Sequence, residues 1–442
     1  MTMPTAEDSK DNDVIDVAVI GGGASGMAAA IFAKQTFIQK SPKPCRVVIF
    51  ERNDRVGKKL LMTGNGRCNL TNLDTDLNHF HGNDNRFAKG ALLRYPPVSV
   101  ISFFEALGVV CTVEENQKVY PMSLHAASVL DSLRLCMDKL EIQIRTGSKV
   151  FSINSGSKDF IISLSDKSTF HAASVIVAAG GMCAPSTGSD GNGYNLLSGF
   201  DHKLLSPVPS IVQIKTDTKF CKPLSGNKIL GCASLYIKDR KIREEAGEIL
   251  FTDYGLSGPP ILQISGYISR ALAGLSGLNS ADRIYISLDF LPAYSLDEVR
   301  TMLLMRKNSF SERKLEEYLT GLFHKRLALG VIREATDKPM SALVSSLSGK
   351  DIDKLALACK ALKIPVTGTM PFANAQTTAG GMDTSYFDPS TLESTKCPGL
   401  FACGEVLDID GDCGGYNLQW AWSSGFLSGG SAAQYVIRAR NL

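Results

Sequence analysis

Missing from these 442 residues are the patterns that mark a metal site or a disulfide scaffold. The 11 cysteines are scattered singly, with no CxxC pair and no metal-ligand spacing, which suits reduced thiols and argues against a disulfide framework or zinc. Only 6 histidines occur, without an HExxH or similar cluster, so no metal is expected. No apolar run reaches the roughly 18 residues a membrane span needs. The opening MTMPTAEDSKDNDV is polar and acidic where a secretory signal is basic and then apolar, so the expected location is cytoplasmic, with no membrane partner. No internal repeat and no signature of a stable protein partner is visible. Charge of one sign is scarce too, at 47 Lys and Arg against 44 Asp and Glu. The balance is uneven, however: residues 206–364 carry 23 cations and 17 anions. That surplus suits either a polyanionic partner or a solvated helical surface, on which Arg306-Lys307, Arg313-Lys314 and Lys325-Arg326 alternate with Glu312, Glu316 and Glu317.

What is present begins at Val14. The apolar stretch VIDVAVI is followed by Gly21-Gly22-Gly23-Ala24-Ser25-Gly26, a small-residue helix, a second apolar stretch (RVVIF) and Glu51. Gly21 permits a tight strand-to-helix turn, Gly23 lets the backbone approach a pyrophosphate, and Gly26 lets the helix pack closely on a sheet. The phosphates would face a helix N-terminus, which carries partial positive charge. Glu51 is placed to accept both ribose hydroxyls, which favours FAD or NAD over a 2′-phosphorylated nucleotide. Strand, turn, helix, strand and acid in this order predict a dinucleotide site.

With 44% hydrophobic residues the chain has material for two or three domains. Three- and four-residue apolar spacing predicts helices over residues 97–107 and 124–140, with Ser99 and Ser123 as possible N-caps. Short β pieces follow near residues 142, 150–153 and 160–164, then a buried strand over 175–179. Ala179, Gly180 and Gly181 open a loop able to cross back over a cofactor. Residues 206–294 read as a β-rich substrate domain and 295–364 as a helical subdomain. Cofactor-type sequence returns near the end, so residues 13–205 and 365–442 are expected to form one discontinuous nucleotide domain.

The terminal motif runs GEVLDIDGDCGGYNLQWAWSSG from Gly404. A strand, a turn carrying Glu405 and Asp412, the pair Gly414-Gly415, then a helix opening at Tyr416 and Asn417 make a second N-terminus that can face a phosphate or a ring. Between the two ends of the chain lies the loop Gly64-Asn65-Gly66-Arg67-Cys68-Asn69. Arg67 could fix an anion or an electron-rich edge by forked hydrogen bonds, with Asn65 and Asn69 orienting it. Cys68, beside Arg67 and Lys59, is expected either to have a depressed pKa and act as a general acid, or to be a small packing residue. Cys413 is a second candidate acid. Tyr254 and Ser257 read as substrate-side turn residues, and His79 and His81 as solvated loop histidines. No second strand-GxGxxG-helix unit follows the first, so NAD(P)H is expected only as a transient donor.

On these motifs the chain resembles the BaiN/RdsA-type NAD(P)/FAD-dependent oxidoreductases, a family that includes aminoacetone oxidases. The resemblance rests on GKKLLMTGNGRCNLTN from Gly57, the loop from Ala178 to Tyr194, EILFTDYGLSGPPIL from Glu248, TTAGGM from Thr377 and the terminal motif. It implies an α/β fold: a discontinuous Rossmann-like FAD-binding domain with an inserted β-barrel-like substrate domain and a helical subdomain. It also implies cofactor contacts from Gly21, Gly23, Ala24, Ser25, Gly26, Glu51, Arg52, Lys59 and the 404–417 turn, with Gly64, Asn65, Gly66, Ala179 and Gly180 beside them. This chain departs from the family where Ala179, Cys183 and Asp253 replace a frequent Thr, Ser and His. The activity implied is hydride transfer from the flavin to a C=C bond, foremost the C5–C6 bond of a uridine in large-subunit ribosomal RNA, bound through the basic insert. The alternatives are a small-molecule alkene reductase, an aminoketone oxidase, or a binding module with a structural flavin.

Overall fold

The computed structural model describes residues 14–274 and 283–440. Two compact units result, Met1–Pro209 with Ala375–Leu442, and Ser210–Asn374. Among the described residues no helix is long and apolar enough to cross a membrane.

The first unit is built on a seven-stranded sheet. Ile15–Ile20 runs parallel to Val47–Phe50 on one side and to Thr169–Val177 on the other, so Phe50 and Val177 both pair with Ile20. All six residues of that strand are buried, which is why, apart from Asp16, it reads as an apolar run and not as an alternation. Because neighbours lie on both sides, the carboxyl ends of three strands deliver Gly21, Glu51 and Ala178 to one crevice, the usual place for a ligand in an open α/β sheet. The other edge of Thr169–Val177 is shared: Phe160–Leu164 takes its first half antiparallel, and Leu400–Ala402 takes its last three residues in parallel. The C-terminal segment thereby completes the sheet begun at the N-terminus.

The helix Ala24–Lys40 packs along the terminal helix Tyr416–Ala439 at a separation that admits no side chain. A Cβ on Gly425 would lie 2.5 Å from the Ser25 carbonyl oxygen, and one on Gly429 would lie 2.1 Å from that of Ala29.

In the second unit six antiparallel strands close a barrel: Ile214–Thr216, Gly255–Ser257, Arg240–Phe251, Lys228–Ile237, Ile284–Asp289 and Leu362–Thr369. Some expected bounds and elements are corrected here. The cut expected at residue 364 falls inside Leu362–Thr369, the strand that closes the barrel, so the insert runs on to Asn374. The helices cap the barrel through a shared core, since Leu235 and Phe251 of the barrel belong to one buried cluster with Leu303, Val331 and Leu355 of the helices. Pro259–Leu272, expected as part of a β-rich run, is a helix whose prolines occupy its first turn, where no intrahelical N–H bond is lost. At its other end the insert begins at Ser210, because Leu204–Ser210 pairs with Thr377–Met382. The helices expected over 97–107 and 124–140 form as Pro97–Ala106 and Ala126–Lys139, but Pro96 and His125 occupy the cap positions, not Ser99 and Ser123.

Candidate active site

The crevice at the strand ends is an open cavity with an empty volume of about 1220 Å³ inside the first unit. Its floor is the glycine turn, and each glycine there has a distinct steric reason. Gly21 has φ 109°, and a Cβ would lie 2.5 Å from the Ala178 carbonyl oxygen. On Gly26 a Cβ would lie 1.9 Å from the Gly21 oxygen, whereas on Gly23 it would meet nothing within 4 Å. The open space is on the cavity side, since Gly23 and Ala24 line it. No side chain caps Ala24–Lys40, so its first N–H groups are left for an anion.

Glu51 is buried, with Oε2 accepting from the Gly22 amide at 2.8 Å and Oε1 from the amide and side chain of Asn53 at 2.8 and 2.7 Å. A carboxylate has about four acceptor positions, so these three bonds fix its orientation and leave capacity for a ribose hydroxyl. Arg52 pairs with Asp190. Across the cavity Lys59 is ion-paired with Glu405, whose other oxygen accepts from the Thr378 amide at 2.9 Å. Asn417 locks the acidic turn to the terminal helix: its Oδ1 accepts from the Gly411 amide at 2.8 Å and its Nδ2 donates to the Gly411 oxygen at 2.8 Å. Gly415, at φ 106°, precedes that helix without a side-chain cap.

Of the residues singled out in the sequence, the structure brings Gly21, Gly23, Ala24, Ser25, Glu51, Arg52, Lys59, Ala179, Gly180, Glu405 and Asn417 to the cavity wall. Gly26 and Gly404 sit behind it as packing positions, a Cβ on Gly404 falling 2.4 Å from Ser25 Oγ. The sequence reading missed Thr377, Leu418 and Trp420, which also line it. Trp420 Nε1 donates to the Gly404 oxygen at 3.1 Å, and a buried indole in a Gly-rich helix was the available signal.

Gly64, Asn65, Gly66, Arg67, Cys68, Asp412, Gly414, Gly415 and Tyr416 lie outside the cavity wall, around its rim and behind it. Here the expected environment of Cys68 is corrected. Gly64, Asn65, Gly66 and Cys68 all have positive φ, and the resulting coil turns Cys68 inward while Arg67 points outward. Burial pushes the Cys68 thiol up to about 12, the reverse of the expected depression. Lys59 is held by Glu405, and Arg67 pairs with Glu114 above the Tyr120 ring, 4.2 Å from its centroid. Burial also raises the Cys413 thiol. Arg67 Nε and Asn69 Oδ1 are buried without a hydrogen-bond partner.

His79 and His81 are not solvated loop residues. His81 Nε2 lies 2.7 Å from one oxygen of the buried Asp412 carboxylate, and His79 Nδ1 lies 3.1 Å from the other. His79 also stacks on Tyr416, with centroids 4.4 Å apart. Asp412 thus orients both histidines through its two carboxylate oxygens. Tyr254 and Ser257 belong to the second unit, where Ser257 pairs with Leu250 as part of the barrel.

An open cradle at Gly23, two uncapped helix N-termini, a ribose-ready carboxylate and a Lys–Glu pair fit FAD, and the chain is a FAD-dependent oxidoreductase. It belongs to the family described as HI0933-like protein Rossmann domain, whose model matches residues 15–431. It is 36% identical over 418 residues to a 3-dehydro-bile acid delta(4,6)-reductase of Clostridium scindens, covering 95% of this chain and 99% of the relative. It is 28% identical over 415 residues to a ribosomal RNA dihydrouridine synthase of Haemophilus influenzae, covering 92% and 96%. A protein of the same name from Escherichia coli is 28% identical over 433 residues, covering 96% and 99%.

Proposed function

We propose that this chain reduces a carbon–carbon double bond conjugated to a carbonyl group in an apolar small molecule, with NAD(P)H as the transient donor to its FAD. The observation that carries this reading is the 36% identity, over nearly the whole of both chains, to a reductase named for a 3-dehydro delta(4,6) bile acid. In such a compound the carbonyl draws electrons through the double bond, so hydride adds at the far carbon and a proton at the near one. A bound flavin supplies the hydride. The chain's own groups hold and bias it: the glycine turn takes the pyrophosphate, Glu51 takes the ribose, and Lys59 with Glu405 fixes the facing wall. The N-terminus of Tyr416–Ala439 favours negative charge on the reduced ring.

A second reading, reduction of a uridine of large-subunit ribosomal RNA to dihydrouridine, is favoured by the 28% relatives and by the 23 cations against 17 anions of residues 206–364. Uridine also carries its double bond beside a carbonyl, so the two readings share one chemistry and differ in partner.

Anaerobic half-reactions test both. The purified flavoprotein is expected to bleach with NADH or NADPH and to recover its colour on addition of a 3-oxo-4,6-diene bile acid. Recovery only with ribosomal RNA, accompanied by dihydrouridine, transfers the assignment to the second reading. Bleaching by an aminoketone, with no response to either nicotinamide, overturns both.

A further inference from the structure

We propose that Tyr120 is the proton donor of this reduction, giving its phenolic proton to the carbon next to the one that takes hydride. The inference rests on the function proposed above. At the rim formed by residues 63–69 and 411–415, Cys68, Cys413 and Tyr120 could in principle deliver a proton, whereas the Asp412 carboxyl is buried between His79 and His81. Cys68 is sealed inside the coil with no exposure, and Cys413 is half-buried, with desolvation raising its thiol. Tyr120 is different. It lies on the strand Lys118–Pro121, where Val119 faces the core and Tyr120 the opposite side. The edge of its ring is 3.5 Å from where a Cβ on Gly64 would stand, and Gly64 follows Thr63, which lines the cofactor cavity. From the same strand, Lys118 Cε comes within 3.5 Å of the corresponding point on Gly414, which closes the turn before the terminal helix. The strand therefore packs against both turns at the rim of the cavity.

The ring is only 8% exposed, yet its hydroxyl makes no hydrogen bond to any described residue. It is not among the sealed orphan atoms that include Arg67 Nε and Asn69 Oδ1, so the hydroxyl keeps some contact with open space. Sealing a phenol without a partner is costly, and an accessible tip on a buried ring avoids that cost while remaining available to a ligand. The Arg67 guanidinium, held over the ring by Glu114, stabilises negative charge on the phenol as the proton leaves.

The step balances as follows. The far carbon of the conjugated bond receives hydride from the reduced flavin, and the π pair moves to the near carbon. The Tyr120 O–H bond breaks as a C–H bond forms there, and the phenolate recovers a proton from water. A bound flavin would supply the hydride and its electron pair, and NAD(P)H would restore them. The groups facing the phenol are Arg67 and Glu114, with Cys413 and Cys68 from the two turns, and burial raises its pKa above the ordinary phenol value.

The test is Tyr120→Phe in the holoenzyme, which keeps the ring and its packing. Bleaching by the nicotinamide and the flavin spectrum report an intact site, and flavin reoxidation by the 3-oxo-4,6-diene reports the proposed step. Expected is a fall in reoxidation rate of about 100-fold or more, the usual worth of a positioned acid, with loss of the wild-type alkaline limb. Reoxidation within threefold of wild type, with that limb intact, overturns the assignment. Should the variant lose its flavin, Arg67→Met takes its place: the alkaline limb moves upward, and an unmoved limb overturns the proposal. A wild-type reduced flavin that no conjugated acceptor reoxidises is a separate outcome and overturns the function along with it.

Discussion

Gly23→Ala separates cofactor binding from folding, because the methyl enters space that the protein leaves empty. Gly23 has φ −79° and ψ −171°, a conformation open to any L-residue, and its added Cβ has no neighbour within 4 Å. The apoprotein should therefore be as stable as wild type, or more so by about 0.4–1 kcal/mol through the lost freedom of the unfolded chain. The same methyl stands where a pyrophosphate must approach the first amides of Ala24–Lys40. Losing one charge-assisted hydrogen bond there costs about 1.5–3 kcal/mol, or roughly 10- to 150-fold in FAD affinity. Gly26→Ala is the contrast: its methyl would lie 1.9 Å from the Gly21 oxygen, so the helix must leave the sheet and stability falls with affinity. The assay is thermal unfolding of deflavinated protein beside an FAD titration followed by flavin fluorescence. A Gly23→Ala apoprotein that melts below wild type, or that binds FAD within twofold of it, refutes the steric account.

Three further outcomes follow from the packing. Gly429→Ala places a methyl 2.1 Å from the Ala29 oxygen at the contact of the two cofactor helices and should cost about 1–3 kcal/mol in denaturant unfolding; an unchanged midpoint would show that the helices have room to part. His202 is buried between the Leu197 oxygen and Ser394 Oγ, at 3.0 and 2.9 Å, and burial lowers its pKa. Its unfolded form then binds protons first, so its contribution to stability is full above the ordinary value of 6.5 and is lost as pH falls through the depressed folded value. His202→Asn should flatten that acid limb in a pH series of unfolding midpoints, and an identical limb would assign it elsewhere. Cys68→Ala should keep turnover within about twofold, since a thiol pushed up to about 12 and fully buried serves as packing; a fall of 100-fold, the scale of a positioned acid, would restore its chemical role.

What the sequence makes legible is whatever local sterics dictate. Gly21, Gly23, Gly26 and Glu51 are required by a turn, an approach, a packing distance and a hydrogen-bond pattern within one strand-helix-strand unit, and all four are where that logic puts them. Partners brought together by long-range folding are not legible in the same way. Asp412 clamps His79 and His81 from more than 300 residues away, and no local pattern announces the pairing. The Cys68 environment misleads for a different reason: adjacency to Arg67 in sequence suggests a charge neighbour, but the positive φ at Gly64, Asn65, Gly66 and Cys68 sends consecutive side chains in opposite directions. Gly258-Pro259-Pro260 reads as a break, although proline in a first helical turn is compatible with the helix it opens.

Each unit buries its own apolar cluster, and the cofactor cradle is welded by contacts internal to the first. Ser25 and Ala29 receive Gly404, Gly425 and Gly429 at distances no side chain permits, so the phosphate-facing helix is positioned by the C-terminal segment of the chain. A flavin held in this way is indifferent to its acceptor. Discrimination between a dienone and a nucleobase must then come from groups the cradle does not need for its own stability. The rim meets that condition: Arg67 and Asn69 each bury a polar atom with no partner among the described residues, Asn65 and Cys68 hold left-handed conformations, and the Tyr120 hydroxyl makes no hydrogen bond to a described residue. Left-handed Asn65 and Cys68 and the two unmet polar atoms beside the cradle make the rim the place to test for substrate selection by substitution, whichever acceptor the half-reactions identify.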